Sequence, residues 1–209
     1  MDRDPYHLKA DPILFVLSGP SGAGKDTVLR GVLEELEKIS HPHGFVATLN
    51  TRARRPEEVE GKDYHFVSKE HFAEMIEQNG LLEWAAVYDD YKGVPKQEVE
   101  DTLAAGKDAF LRLDVQGAAT IRRLRPNAVL IFITVESREE LVRRLQERKT
   151  EAPDALQLRI AMSNKEMERM GEFDYVVVNP RGHFEKAVKD ILAIIQAEHC
   201  RVQRRVAEQ

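Results

Sequence analysis

Gly19-Pro20-Ser21-Gly22-Ala23-Gly24-Lys25 follows an apolar, strand-like run, Ile13 to Leu17, and precedes a helix-like run, Val28 to Ile39. Strand, glycine-rich turn and helix in that order make a phosphate cradle. The glycines let successive backbone N–H groups point inward, the helix N-terminus adds partial positive charge, and Lys25 reaches toward the outer phosphates of a nucleoside triphosphate. The next position, where a Ser or Thr hydroxyl commonly binds magnesium, holds Asp26, followed by Thr27. The magnesium ligand is therefore left open between Asp26 and Thr27.

Outward from the cradle, apolar strand-like runs recur at Ala109 to Leu113, Ala128 to Val135 and Tyr175 to Val178. Helical patterns fall near 26–39, 96–105, 115–124, 138–148, 154–170 and 184–199. The alternation predicts an α/β fold of the P-loop NTPase type, a parallel sheet covered on both faces by helices, with ligands at the carboxyl ends of its strands. Residues 46–94 have a different texture. Gly44 to Asn50, Tyr64 to Val67 and Leu81 to Val87 read as short strands and 69–79 as a short helix, so 46–94 is expected to be an inserted, mostly β subdomain. The polar segment Lys149 to Asp154, with Pro153 at a helix's first turn, suits a short lid over about 146–162. The expected organisation is one domain over 12–204 with an N-terminal extension over 1–11.

At 209 residues the chain is long enough for one well-packed domain and short for two. Its 31 Lys and Arg against 36 Asp and Glu give a formal charge of −5, which argues against general nucleic-acid or membrane-surface binding. Phosphate recognition must come from local cations. No apolar run approaches the ~20 residues of a membrane span, and Met1 to Asp11 lacks the apolar core of a signal peptide, so a cytoplasmic protein is expected. One cysteine, Cys200, cannot form an internal disulfide, and the histidines lack a Cys/His metal spacing.

Arg52, Arg54 and Arg55, then Tyr64, then Glu83 lie in the expected subdomain. Beside a phosphate cradle, an arginine cluster is suited to clamping a second phosphorylated substrate, because the guanidinium fork matches phosphate oxygens. Glu83 and Asp114 offer acceptors to the N1–H and N2 amine of guanine and would repel the N1 lone pair of adenine. Asp114, just after a strand, reads equally as the N-cap of the next helix. Arg144, Arg148 and Arg159 flank the lid segment, where a closing flap could bring them onto a transferring phosphoryl group.

These residues resemble the guanylate kinase family from about Ile13 to Asn179. The likeness runs through the cradle at 19–25, Thr-Arg-Ala-Arg-Arg at 51–55, Glu-Val-Glu-Gly-Lys-Asp-Tyr-His-Phe-Val-Ser at 58–68, Leu-Glu-Trp-Ala at 82–85 and Leu-Asp-Val-Gln-Gly-Ala at 113–118. The resemblance implies transfer of the γ-phosphoryl of Mg-ATP to GMP. It implies ATP held by Gly19 to Thr27 with Asn179 near adenine, and GMP phosphate held by Arg52, Arg55 and Tyr64. Guanine is expected at Thr48, Glu83 and Asp114, with Lys25, Arg144, Arg148 and Arg159 serving the transfer. Four departures from the family pattern are present: Lys92-Gly93-Val94 where Tyr-Gly-Ser/Thr is common, Arg112 where an acid often stands, Lys149 in the lid, and Asp26. At the first of these, Lys92 replaces a tyrosine contact to the GMP phosphate.

Two other readings share these residues. A ribose 1,5-bisphosphate phosphokinase has a similar cradle but a substrate without a base, which would leave Glu83 and Asp114 unused. A silent, peptide-binding module of membrane scaffolds would not need Lys25 and the lid arginines. The apolar stripe Phe184, Val188, Ile191, Leu192 and Ile195 suits packing on the chain's own sheet, or an interface in a homodimer.

Overall fold

Five parallel strands lie in the order β2-β7-β1-β8-β9 in the computed structural model, which describes residues 11–87, 89–147 and 153–202. They are β1 (Leu14–Ser18), β2 (His43–Phe45), β7 (Asp108–Arg112), β8 (Val129–Thr134) and β9 (Tyr175–Val178). β1 is buried along its length and apolar from Leu14 to Leu17, because both its faces are covered. Phe15 and Leu17 pack with Leu29, Val32 and Leu36 of α1 (Lys25–Lys38) and with Val188, Ile191 and Ile195 of α7 (Phe184–His199). Leu14 and Val16 face the opposite layer, with Val99 of α3 (Lys96–Ala104) and Ala118 and Ile121 of α4 (Val115–Leu124). This two-residue alternation of an apolar strand fixes the sandwich of helix, sheet and helix. Val188, Ile191 and Ile195 of the α7 stripe are buried in this core and Leu192 packs against it, while Phe184 is exposed.

A second sheet of four short strands, in the order β4-β3-β6-β5, stands between β2 and α3 in the chain. It contains β3 (Leu49–Asn50), β4 (His65–Phe66), β5 (Leu81–Val87) and β6 (Asp90–Pro95), with α2 (Lys69–Glu77) packed on it. Leu49, Phe72 and Leu81 are buried together in its small core. Ser68 caps α2, its hydroxyl accepting from the His71 amide at 3.1 Å.

Two expectations are corrected here. Gly44 to Asn50 is not one strand of the smaller sheet: His43–Phe45 pairs in parallel with β7 at the edge of the main sheet, and only Leu49–Asn50 joins the smaller one. Residues 90–95, not expected as a strand, form β6, an interior strand of that sheet paired antiparallel to both β3 and β5. The sequence Asp-Tyr-Lys-Gly-Val-Pro has little strand propensity of its own, and its pairing partners impose the conformation.

Beyond β8, α5 (Arg138–Glu147) and α6 (Pro153–Glu168) pack on each other through Leu141, Leu145 and Ile160. Pro153 opens α6, as expected of a residue with no amide hydrogen to satisfy. Residues 148–152 of the expected lid, including Arg148 and Lys149, lie outside the described residues. At the amino ends of the strands, His41 Nε2 and His199 Nε2 lie 2.8 and 2.7 Å from Asp108 Oδ2, and the Ile13 amide donates to Oδ1 at 2.8 Å. Burial pushes the Asp108 carboxyl up, but these hydrogen bonds outweigh it and hold the group below its ordinary range. The cluster ties α7 and the turn after α1 to the sheet. No described helix is long and apolar enough to cross a membrane.

Candidate active site

The turn after β1 is packed against β8 and runs directly into α1. Gly19 has φ +135°, and a Cβ there would lie 2.0 Å from the Ile133 carbonyl oxygen, so only glycine fits against β8. The N-cap of α1 is Gly24, with no side-chain cap. The first amides of α1 are therefore left to a ligand, the arrangement that suits an anion. Lys25 Nζ donates to the loop's own Gly19 and Pro20 carbonyls at 2.7 and 3.0 Å. Burial lowers its pKa against the opposing pull of Glu166, Asp26 and Asp114.

A cleft of about 360 Å³ opens at this point between the two sheets. Six cationic side chains line it, Lys25, Arg52, Arg55, Lys92, Arg112 and Arg159, against four acidic ones, Asp26, Glu83, Asp114 and Glu166. A chain of net negative charge thus concentrates cations where phosphates would sit. Ser21, Gly22, Gly24, Thr48 and Tyr64 complete the expected residues on its wall. Gly19, Pro20 and Ala23 shape the loop without lining the cleft, and Thr27 is exposed on α1 outside it.

Asn179 and Arg144 stand behind the loop. Asn179 Nδ2 donates to the Ala23 carbonyl at 2.8 Å, and Arg144 Nη2 donates to the Asn179 carbonyl at 3.0 Å while its Nε donates to Glu140 at 2.7 Å. Both brace the cradle from its far side. Arg159, on α6, faces the cleft.

On the opposite wall, Arg52 is held by both oxygens of Glu58, which also accepts the Arg55 amide at 2.9 Å. The Arg52 hydrogen bonds hold the Glu58 carboxyl down to about 2. The guanidinium lies 5.4 Å from the Tyr64 ring centroid, and Lys92 Nζ lies 5.7 Å from the same ring. Arg52, Lys92 and Tyr64 form one cationic and aromatic corner.

Glu83 is 8 % exposed and stands over the first turn of α4, where a Cβ on Gly117 would come within 3.3 Å of its carboxyl group. Glycine at 117 is what lets the carboxyl sit this close to the helix. Burial, and then repulsion from Asp114, push the Glu83 pKa up to about 7. Asp114 is the N-cap that one reading of its position expected, and it also lines the cleft. Its Oδ1 caps α4 by accepting from the Gln116 and Gly117 amides, each at 2.9 Å.

Sequence reasoning passed over Glu58, Glu166 and the position of Arg112. Glu166 Oε2 accepts the Ser21 amide of the cradle at 3.1 Å, and burial raises its pKa against the pull of that amide and of Lys25. It places a carboxylate on the loop where an anion would bind. None of the three has a local signal, since each gains its meaning from a partner distant in sequence or across a turn.

A family model described as guanylate kinase matches residues 12–198. The chain belongs to the guanylate kinase family. A guanylate kinase of Oryza sativa subsp. japonica, named "Guanylate kinase 2, chloroplastic/mitochondrial", is 50 % identical over 97 % of this chain and 70 % of its own length. The guanylate kinase of Desulfitobacterium hafniense (strain Y51) is 40 % identical over 92 % of this chain and 94 % of its own. The crystal structure of guanylate kinase from Anaplasma phagocytophilum superposes with a TM-score of 0.77 at 30 % identity, covering 95 % of this chain and 92 % of that one. The guanylate kinase fold accounts for both sheets and for the cleft between them.

Proposed function

We propose that the chain transfers the γ-phosphoryl group of ATP, bound as its magnesium complex, to the phosphate of GMP, giving ADP and GDP, with the two nucleotides facing each other across this cleft. ATP-dependent phosphorylation of GMP is the activity of the guanylate kinase family, and the chain is an enzyme of that family. The observation that carries the division of roles is a single cleft walled by a backbone cradle on one side and an arginine, lysine and tyrosine corner on the other.

The acceptor phosphate is already an anionic nucleophile, so no side chain has to remove a proton. Catalysis is positioning and charge. The loop amides and Lys25 take the outer phosphates of ATP, displacing Glu166 from the Ser21 amide and Lys25 from its own loop carbonyls. Arg52, Arg55, Tyr64 and Lys92 aim the GMP phosphate, and Glu58 fixes the Arg52 fork. Glu83, ionised, accepts from guanine N1–H and N2; Asp114, whose Oδ1 is taken by the helix cap, offers Oδ2 to the same edge. Thr48, 6 % exposed, supplies a hydroxyl at O6. Arg159 and Arg148 reach the transferring group from the segment over 146–162, which acts as a lid. Arg144 and Asn179 hold the cradle in shape.

Magnesium suits this site as an ion carried in on the triphosphate, since it keeps several waters and needs only one or two protein carboxylates. Asp26 is the expected ligand that lines the cleft, and Arg112 engages its Oδ1, so Oδ2 is the oxygen it would offer. When bound, the ion neutralises charge on the β- and γ-phosphates. We place the enzyme in the cytoplasm; with one cysteine, it has no internal disulfide to lose in a reducing compartment.

A coupled assay for ADP tests the reading. ADP is expected with ATP, magnesium and GMP together and only a trace when GMP is left out. No ADP from folded protein with both nucleotides saturating would overturn it.

A further inference from the structure

Arg112 ends β7 directly beside Leu17 of β1, so its side chain leaves the sheet next to the cradle. Its Nη1 meets Asp26 Oδ1 at 2.5 Å on the donor side. Its Nη2 donates to the Asp63 carbonyl at 2.8 Å, and its guanidinium lies 4.9 Å from the Tyr64 ring centroid on the acceptor side. The side chain is 10 % exposed. Two of the positions at which the chain departs from the family pattern, 26 and 112, thus meet each other.

We propose that Arg112 is a positioning residue for phosphoryl transfer: anchored by Asp26, it holds Tyr64 and the turn that carries it, so one ion pair sets the acceptor clamp in register with the donor cradle. The inference rests on the acceptor site being the one proposed above. The guanidinium is suited to the task because its planar fork donates in two directions at once while its face stacks on an aromatic ring, which a lysine cannot do. Asp26, in turn, is a carboxylate in the first turn of a helix whose amides face a polyanion. Pairing with Arg112 removes the net charge that would repel the triphosphate. The two side chains therefore depend on each other, and the pair spans the gap that the reacting groups must close.

The test is calorimetric titration of the full chain with GMP alone, without ATP or magnesium. Asp26 lies on the donor side, so in the absence of a link its replacement leaves GMP binding unchanged. With the link, Asp26→Asn weakens GMP about fivefold and Arg112→Ala about tenfold, the scale of one lost hydrogen bond to a charged group. The double variant binds no more weakly than Arg112→Ala, because both changes act through one contact. Arg112→Lys recovers only part of the loss. A rise of threefold or more in the dissociation constant for Asp26→Asn, absorbed in the double variant, supports the proposal; a smaller rise, or penalties that multiply, overturns it. Asp26→Asn changes an exposed side chain to one of the same shape, and if Arg112→Ala does not fold, Arg112→Lys takes its place in the cycle. Wild-type protein that binds no GMP overturns the acceptor site and this inference together, whereas normal wild-type binding with indifferent variants overturns this inference alone.

Discussion

The two walls of the cleft are built differently. The donor side is made of backbone: a glycine turn locked between β1 and β8, and helix amides with no side-chain cap, all resting on a core buried on both faces of the main sheet. The acceptor side is made of side chains, Arg52, Lys92, Tyr64 and Glu83, carried on short strands and the turns between them around a small core of Leu49, Phe72 and Leu81. A backbone cradle holds phosphates through its amides and is limited by its glycines, since a Cβ at Gly19 would strike β8. A side-chain clamp is specific for its base and is sensitive to each substitution.

The sharpest way to break this contrast is Lys25→Met. Turnover is expected to fall by about 10³-fold, the scale seen when one preorganised group for developing charge is removed. GMP affinity, read by calorimetry, should change by less than about twofold, because Lys25 donates to its own loop's Gly19 and Pro20 carbonyls and not to the acceptor corner. A large loss of GMP binding would erase the distinction between the walls.

On the acceptor side, Arg52→Ala should raise the Michaelis constant for GMP about 30- to 100-fold, as loss of hydrogen bonds to a charged phosphate implies, with that for ATP nearly unchanged. Glu58→Gln frees the Arg52 fork and should give a weaker effect in the same direction.

Glu83 sharpens the comparison through pH. Its folded-state pKa of about 7 lies above the 4.5 of an unfolded glutamate. The carboxyl therefore gives the fold most support below pH 4.5 and loses it as pH rises through 7, by roughly 3 kcal/mol in all at 1.36 kcal/mol per unit. The proposed guanine contact uses the ionised form, so GMP affinity should climb between pH 6 and 8 in the wild type. Glu83→Gln should flatten that climb, weaken GMP by about tenfold or more, and raise the urea midpoint at pH 8 but not at pH 4. Unchanged GMP binding in this variant would favour a sugar-phosphate acceptor.

The smallest effect is expected from Ser68→Ala, which removes the cap of α2 and should cost about 1 kcal/mol. Hydrogen exchange should quicken over 69–77 while the amides of β1 and β8 stay protected, if the small core opens separately from the large one.

The same contrast governs what was legible in the sequence. β1, β7, β8 and β9 are apolar runs that announce themselves, and the glycine turn fixes their ligand end. β6 does not, because Lys92-Gly93-Val94-Pro95 takes its conformation from β3 and β5. Gly44 to Asn50 read as one strand, and its division between the two sheets was not legible, since only pairing of His43–Phe45 with β7 decides it. The Asp114 cap was legible because a cap is a local feature. Glu58, Glu166 and the Arg112 bridge were not, because their partners are brought together only by the folded chain.

The most direct measurement is a single turnover of γ-labelled ATP with GMP, followed in the wild type and in Glu83→Gln. The expected result is label on GDP, with half-saturation by GMP shifted in the variant and half-saturation by ATP unmoved. Label released as inorganic phosphate, or transfer indifferent to both GMP and Glu83, would contradict two nucleotides meeting across this cleft.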